Sequence, residues 1–139
     1  MSSWEKDYSA PIVDEDSEQF WTKACEKRLV IKHCTSCDKS HWYPRPRCPF
    51  CLRDNTIWKE ASGTGAIYSY SVMRRAVKPY IVAFVTLDEG PSVLTNIVDC
   101  DPTRIYIGMR VVVTFRHPKG ESAAIPVFRP ADNKEGNNG

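Results

Sequence analysis

Four cysteines are spaced for metal chemistry. Cys34-Thr35-Ser36-Cys37 and Cys48-Pro49-Phe50-Cys51 are two Cys-x-x-Cys pairs separated by ten residues. Two intervening residues let both sulfurs of one turn reach a single ion, and the longer stretch brings the second turn in from the opposite side. Zn²⁺ takes four soft ligands in a tetrahedron, and both spacings match a zinc ribbon. Iron in a rubredoxin-like site uses the same ligand set, so spacing alone does not separate the two metals. Zinc is the expected ion, held by Cys34, Cys37, Cys48 and Cys51. A catalytic zinc keeps a position open for water, whereas four thiolates close the shell and weaken the ion as a Lewis acid. The expected role is therefore structural, because a segment of about 30 residues has too little core to fold alone. His33 and His41 lie close enough in sequence to replace a cysteine, but four thiolates make that unnecessary.

The other reactive side chains form no catalytic set. Cys25 is expected on the apolar face of a helix, as a small buried residue. Cys100 precedes Asp101-Pro102 at a turn. A nucleophile needs a base beside it, and the chain's histidines, His33, His41 and His117, suggest no such pairing. Arg45, Arg47 and Arg53 crowd the cysteine segment alongside Trp42, Tyr43 and Phe50. Arg74, Arg75 and Lys78 form a second basic group. Such residues could stack on and neutralise nucleic acid, hold the phosphates of a nucleotide-like cofactor such as coenzyme A, or simply form a solvated surface. Gly63 and Gly65 are suited to a bend or a close backbone approach, and no Gly-x-x-x-x-Gly-Lys-Ser/Thr pattern is present.

The elements that must position these residues follow from periodicity. Asp16 with Gln19 reads as a capping box, and Phe20, Trp21, Ala24 and Cys25 fall on one face of a helix ending near Arg28. That face either covers the core or docks Phe20 and Trp21 on a partner. Leu29–His33 and Thr56–Lys59 read as strands entering and leaving the cysteine pairs. Gly65–Met73, Tyr80–Leu87, Ser92–Val98 and Arg110–Phe115 are rich in β-formers. Ala123–Phe128 is a fifth run whose Pro126 demands an edge or terminal position. Asp88-Glu89-Gly90-Pro91 is a hairpin turn, and Asp101–Gly108 a crossing connection with one helical turn. Five short strands with one irregular crossover suit an OB-fold barrel, and a small sandwich or SH3-like barrel fits the same pattern.

The expected fold class is thus mainly β. Its parts are a leader and N-terminal helix over residues 1–28, a rubredoxin-like zinc ribbon over 29–60, a five-stranded OB-fold over 61–128 and a mobile polar tail over 129–139. At 42% hydrophobic residues in 139, a real core is affordable. No apolar run approaches the roughly 18 to 20 residues that span a bilayer. Residues 1–16 are polar and acidic, unlike a secretory signal, so a reducing cytoplasm is the expected location. The net charge of +2 is uneven: residues 1–20 carry −5 and residues 21–60 carry +5. That total is too small for bulk binding to nucleic acid, and the positive segment partly offsets four thiolates around a divalent ion.

The order of motifs carries a resemblance. Phe20-Trp21 precede Leu29-Val30-Ile31-Lys32-His33-Cys34-Thr35-Ser36-Cys37. Tyr43-Pro44-Arg45, Cys48-Pro49-Phe50-Cys51, Trp58 and Ser62-Gly63-Thr64-Gly65 come next. Tyr68-Ser69, Pro79-Tyr80, Leu87-Asp88-Glu89-Gly90 and Ile107-Gly108-Met109-Arg110-Val111 complete the series. Over about residues 10–128 the chain resembles the acyl-CoA-associated family once called domain of unknown function 35. The resemblance implies an N-terminal helix, a zinc ribbon and an OB-fold. It also implies an accessory subunit, not itself catalytic, that binds a thiolase-like enzyme acting on acyl-CoA thioesters by condensation, acyl transfer or retro-aldol cleavage. A hydratase is a further partner to consider. The family offers no catalytic residue to carry over. For the CoA phosphates, Arg74, Arg75 and Lys78 are the candidates, because barrel loops are common ligand sites. The competing readings are a single-stranded nucleic-acid module and an independent acyl-CoA enzyme using Cys100 or His117.

Overall fold

Glu18–Cys25 forms the helix α1, with Phe20 and Ala24 on its buried face. The computed structural model describes residues 15–42, 44–118 and 124–131. Two expectations about α1 are corrected. Ser17, not Asp16, occupies the N-cap position, and no side chain caps the first turn. The helix stops at Cys25, short of Arg28, in a Schellman turn. Lys27 adopts a left-handed φ of 62°, its N–H donates to the Ala24 carbonyl, and the Arg28 N–H donates to the Lys23 carbonyl. A lysine at the position usually held by glycine hides this stop in the sequence. Cys25, the last residue of the helix, is exposed instead of on the buried stripe.

The chain reverses into a three-stranded antiparallel sheet in the order β2-β1-β3. Its strands are β1 (Val30–Cys34), β2 (Lys39–His41) and β3 (Thr56–Glu60). The three-residue β2 was not expected, being too short and polar to show alternation. Strand β1 is central and pairs Lys32 with both His41 and Trp58. The Arg28 guanidinium bonds Glu60, tying the strand entry of β1 to the exit of β3.

The remaining strands are β4 (Thr64–Met73), β5 (Tyr80–Leu87), β6 (Ser92–Ile97), β7 (Arg110–Arg116) and β8 (Ile125–Pro130). They close a barrel in the order β4-β5-β6-β8-β7, the OB-fold among the three β architectures considered. Between Ile67 and Ser69 a bulge in β4 puts Tyr68 and Ser69 against the same stretch of β5. Pro126 lies in the terminal strand, at the seam of the barrel. Phe128 and Pro126 turn their carbonyls toward β6, accepting the Val98 N–H and the Thr95 hydroxyl. The N–H that proline lacks would face the same seam, where β6 and β8 pair only at Ile97 and Phe128. The 101–108 connection holds turns and no helix. Asp101 Oδ1 accepts both the N–H and hydroxyl of Thr103, an Asx turn that competes with helix formation. Among the described residues no helix is long and apolar enough to cross a membrane.

One core runs through all three parts. Phe20 of α1, Val30 and Ile31 of β1, and Ile67, Ile81, Val85, Val111 and Phe128 of the barrel belong to a single buried cluster. Phe20 sits edge-on to Trp21 at 4.8 Å and against Trp42 at 4.5 Å. Phe20 is therefore a core residue, and the alternative in which it docks on a partner is withdrawn. Gly65 is fixed by space: a Cβ there would lie 2.5 Å from the Thr86 carbonyl oxygen and 2.9 Å from Val85 Cγ1. Backbone cannot step aside, so Gly65→Ala is expected to destabilise the chain by about 1–3 kcal/mol, as overpacking does. Urea unfolding of the two proteins measures this, and an unchanged midpoint would contradict the packing described.

Candidate metal centre

Each cysteine pair sits in a turn of the same construction. In the first, Asp38 follows Cys37 with φ 59°, and its N–H returns to the Cys34 carbonyl at 2.9 Å. In the second, Leu52 follows Cys51 with φ 66°, and its N–H returns to the Cys48 carbonyl at 2.8 Å. The left-handed residue curls each turn so that backbone N–H groups face the leading sulfur. The Phe50 N–H, for example, donates to Cys48 Sγ at 3.3 Å. Cys34 and Cys48 are fully buried, and Cys37 and Cys51 half-buried.

The two turns meet sulfur to sulfur. Cys34 Sγ lies 3.6 Å from Cys51 Sγ, and Cys37 Sγ 3.6 Å from Cys48 Sγ, with all four within 4.8 Å of one another. A tetrahedral zinc with bonds of about 2.3 Å requires sulfur separations of about 3.8 Å. The cluster therefore fits one such ion. Its electrostatics demand one as well. The Cys34 thiol is drawn down to about 6, foremost by the Cys37 N–H, while Cys37 is pushed up to about 12 by burial and its neighbouring sulfurs. Burial raises Cys48 too, but the N–H groups of Cys51 and Phe50 outweigh it and leave the pKa below its ordinary value. Successive thiolates repel, and a divalent cation at their centre removes the conflict.

Several contacts missed in the sequence brace the centre. His33 Nδ1 bonds Ser40 Oγ and its Nε2 bonds Asp38 Oδ1, each at 2.9 Å, so this histidine pins the first hairpin. Arg47 Nη1 donates to the Leu52 carbonyl at 3.2 Å, closing the second turn, and the Thr35 N–H donates to the Asn55 carbonyl at 2.9 Å, tying the first turn to the stretch that follows the second. His41 is buried and its pKa is lowered, chiefly by burial. Neither histidine belongs to the sulfur cluster. Only Asp38 offered a sequence signal, since aspartate tolerates the left-handed region better than most residues; Leu52 offered none.

The other candidates lie elsewhere. Arg74, Arg75 and Lys78 are exposed in the loop joining β4 to β5. Cys100 is half-buried, and its thiol is pushed up by burial and by Asp101, the opposite of activation. His117 is exposed at the end of β7. The basic and aromatic residues of the ribbon do not form one platform: Trp42 packs on Phe20, Trp58 lies under the Lys32 ammonium at 4.5 Å, and exposed Phe50 lies under Lys39 at 5.1 Å. Tyr43 lies outside the described residues.

Elemental analysis is expected to find about one zinc per chain. Cys48→Ser should lose it together with the ribbon's resistance to proteolysis, and acidification should release it by protonating the sulfurs. Metal-free protein with an unchanged fold after strong chelation would contradict this.

Comparison with known proteins agrees with the geometry. Residues 21–56 match the family described as ChsH2, rubredoxin-like zinc ribbon domain, and residues 58–116 match ChsH2, C-terminal OB-fold domain. A probable enoyl-CoA hydratase alpha subunit from Thermomonospora curvata is 38% identical over 130 residues, 90% of this chain and 40% of that protein. The chain therefore spans less than half of that relative's length. A DUF35 domain-containing scaffold protein from Methanocaldococcus jannaschii is 35% identical over 117 residues, 76% of this chain and 83% of its own. A solved structure described as Ltp2-ChsH2(DUF35) aldolase contains a chain with a TM-score of 0.78 and 37% identity, covering 88% of this chain and 100% of that one. With ribbon and barrel both matched in this order, the chain belongs to the DUF35 family of zinc-ribbon and OB-fold proteins.

Proposed function

We propose that the chain is a cytoplasmic, non-catalytic accessory subunit of a thiolase-superfamily enzyme acting on acyl-CoA thioesters. It stabilises the complex and holds the CoA moiety of the substrate. The observation that carries this reading is the similarity to a chain from an aldolase assembly, matched over the whole length of that chain. The chemistry supports it. The sulfur cluster leaves a bound ion no open position, and the Cys100 thiol is shifted away from the thiolate that catalysis would need. The hydratase name of the Thermomonospora curvata relative supports a hydratase subunit as a second partner.

The CoA contact is assigned to Arg74, Arg75 and Lys78, whose loop projects from one end of the barrel. Phosphates are bound by charge-assisted hydrogen bonds, each stronger than a neutral one.

Co-expression with a thiolase-superfamily enzyme from the same organism should yield a stable hetero-oligomer with greater activity than that enzyme alone. A chain that stays monodisperse and alters neither the mass nor the turnover of that enzyme would defeat the proposal. Within the complex, replacing Arg74, Arg75 and Lys78 together by alanine should raise the KM for the thioester about tenfold or more, with kcat little changed. An unchanged KM would remove these three residues from the CoA site.

A further inference from the structure

Isolated exposed apolar side chains are ordinary, but a contiguous outward group calls for a reason. On the outer wall of the barrel, Phe84 of β5 lies directly opposite Leu94 of β6 on one side and Ser69 of β4 on the other. Phe84 is 44% exposed, Leu94 61% and Tyr68, beside the bulge, 69%. Val82 continues the face, opposite Ser71 and Asn96. Phe84, Leu94, Val82, Ser69 and Ser71 help line an open groove of about 170 Å³. The alternating residues Ala83, Val85 and Val93 are buried inside the barrel. A register slip would therefore trade one apolar set for the other, and the outer residues are not a misplaced core.

Charge along this wall is one-sided. Residues 61–87 and 92–98 contain no Asp or Glu, and their charges are Arg74, Arg75 and Lys78, gathered in the loop at one end. The carboxylates at the opposite end each bond within the chain through one oxygen. Asp88 accepts from Arg110 Nη2 at 2.9 Å and from the Thr64 hydroxyl, and Glu89 Oε2 accepts the Ser62 N–H at 2.8 Å.

We propose that the outer wall formed by β4, β5 and β6, centred on Phe84 and Leu94, is the surface on which the thiolase-type enzyme docks. The proposal rests on the accessory-subunit reading and names its contact face. Charge complementarity selects the occupant. The matching surface is apolar and uncharged at its centre and anionic at the edge that meets residues 74–78, where the phosphates of the enzyme's bound CoA thioester supply the negative charge. A second copy of this chain is the weaker match: a twofold axis through the wall would set each basic loop against Asp88 and Glu89, which also bond Arg110, Thr64 and Ser62 of their own chain. Phe84 and Leu94 supply burial, and the loop supplies orientation, the usual division between the centre and rim of an interface.

The test measures affinity of the full zinc-loaded chain for the thiolase-superfamily enzyme that it joins on co-expression, with and without acetyl-CoA. Phe84→Glu with Leu94→Glu should weaken binding at least about tenfold in both conditions, as loss of a central contact does. Phe84→Ser with Leu94→Ser should do so with zinc content and unfolding midpoint unchanged, separating lost docking from lost folding. Ile57→Glu, an equally drastic change at an exposed ribbon position, should bind normally. The triple alanine variant of Arg74, Arg75 and Lys78 should lose affinity only when acetyl-CoA is present. Wild-type chain that fails to bind overturns the accessory-subunit reading and this inference with it. Wild-type chain that binds while both Phe84/Leu94 variants bind equally well overturns the inference alone. A triple variant weakened equally without acetyl-CoA assigns the anionic edge to the enzyme's own carboxylates and overturns the CoA-bordered interface. Self-association that the Phe84/Leu94 variants abolish makes a second copy the occupant and also overturns it.

Discussion

Four sulfurs confined within 4.8 Å of one another cannot all carry charge unless a cation joins them, and the ribbon is organised around that conflict. Backbone N–H groups favour the thiolate at each leading cysteine, while burial and the accumulating charge oppose it at Cys37. Both turns accept a left-handed residue without glycine, at Asp38 and Leu52, to aim those N–H groups. Such strain persists only where the surroundings over-determine the geometry, and an ion gripped from two sides does so. The consequence reaches beyond the ribbon because β1 carries two functions within its five residues. Its end supplies the buried sulfur of Cys34, and its beginning supplies Val30 and Ile31 to the core shared with the barrel. Metal site and hydrophobic core are thus opposite ends of one strand, and α1 is fastened to the same place through Phe20 and Trp42.

A ribbon fastened in this way is braced from two sides, by the converging sulfurs and by the shared core. The coordination shell is complete in its own side chains, and the leftover thiol at Cys100 sits beside a carboxylate that disfavours its ionisation. What the chain can offer to chemistry elsewhere is surface: the apolar outer wall, the basic loop at its end, and a fixed relation between them. That relation comes from the β4–β5 pairing, which runs without interruption from the bulge at Tyr68 to the loop that holds Arg74.

Much of this was legible in the residues, and the failures have physical causes. Cysteine spacing anticipated the convergence of the four sulfurs, because two-residue gaps leave few geometries. Barrel strands were visible through alternation: Ile81, Ala83, Val85 and Leu87 of β5 are all buried. The end of α1 was misjudged because Lys27 takes a conformation usually signalled by glycine, and Cys25 was misplaced too. Asp16 looked like a cap, yet the backbone of Ser17 begins the helix with its own carbonyl accepting the Trp21 N–H. Strand β2 was invisible because its three residues are paired through the turn that the metal site imposes, not through any apolar pattern of their own. The brace of His33 with Asp38 and Ser40 is likewise tertiary, since it depends on how the hairpin folds back. Choosing the OB-fold over a sandwich needed the parallel step from β6 to β8, a single pair at Ile97 and Phe128 that local sequence does not encode.

The closed barrel also limits how a partner can bind. An open sheet can recruit another chain through the unpaired N–H and carbonyl groups of its edge, and specificity then comes from alternate side chains. Here β7 pairs with β4 through Gly65 and Val111, so the barrel's ladder returns on itself, and β5 at the middle of the wall is paired along both sides. The tight approach at Gly65, where even a methyl group would meet the Thr86 carbonyl, helps that closure to occur. Among the described residues the ribbon's edge strands are β2 and β3, β2 being three residues long, and the barrel ladder is thinnest where β6 meets β8 at one pair. Recognition at the centre of the wall must therefore run through side chains standing off β5. The bulge in β4 adds one more side chain, Tyr68, where regular pairing would have left a place for none. A wall centre with its backbone already paired and no charge gains affinity chiefly by burying carbon against carbon. That requirement gives Phe84 and Leu94 a role that barrel stability does not, since neither contributes to the interior.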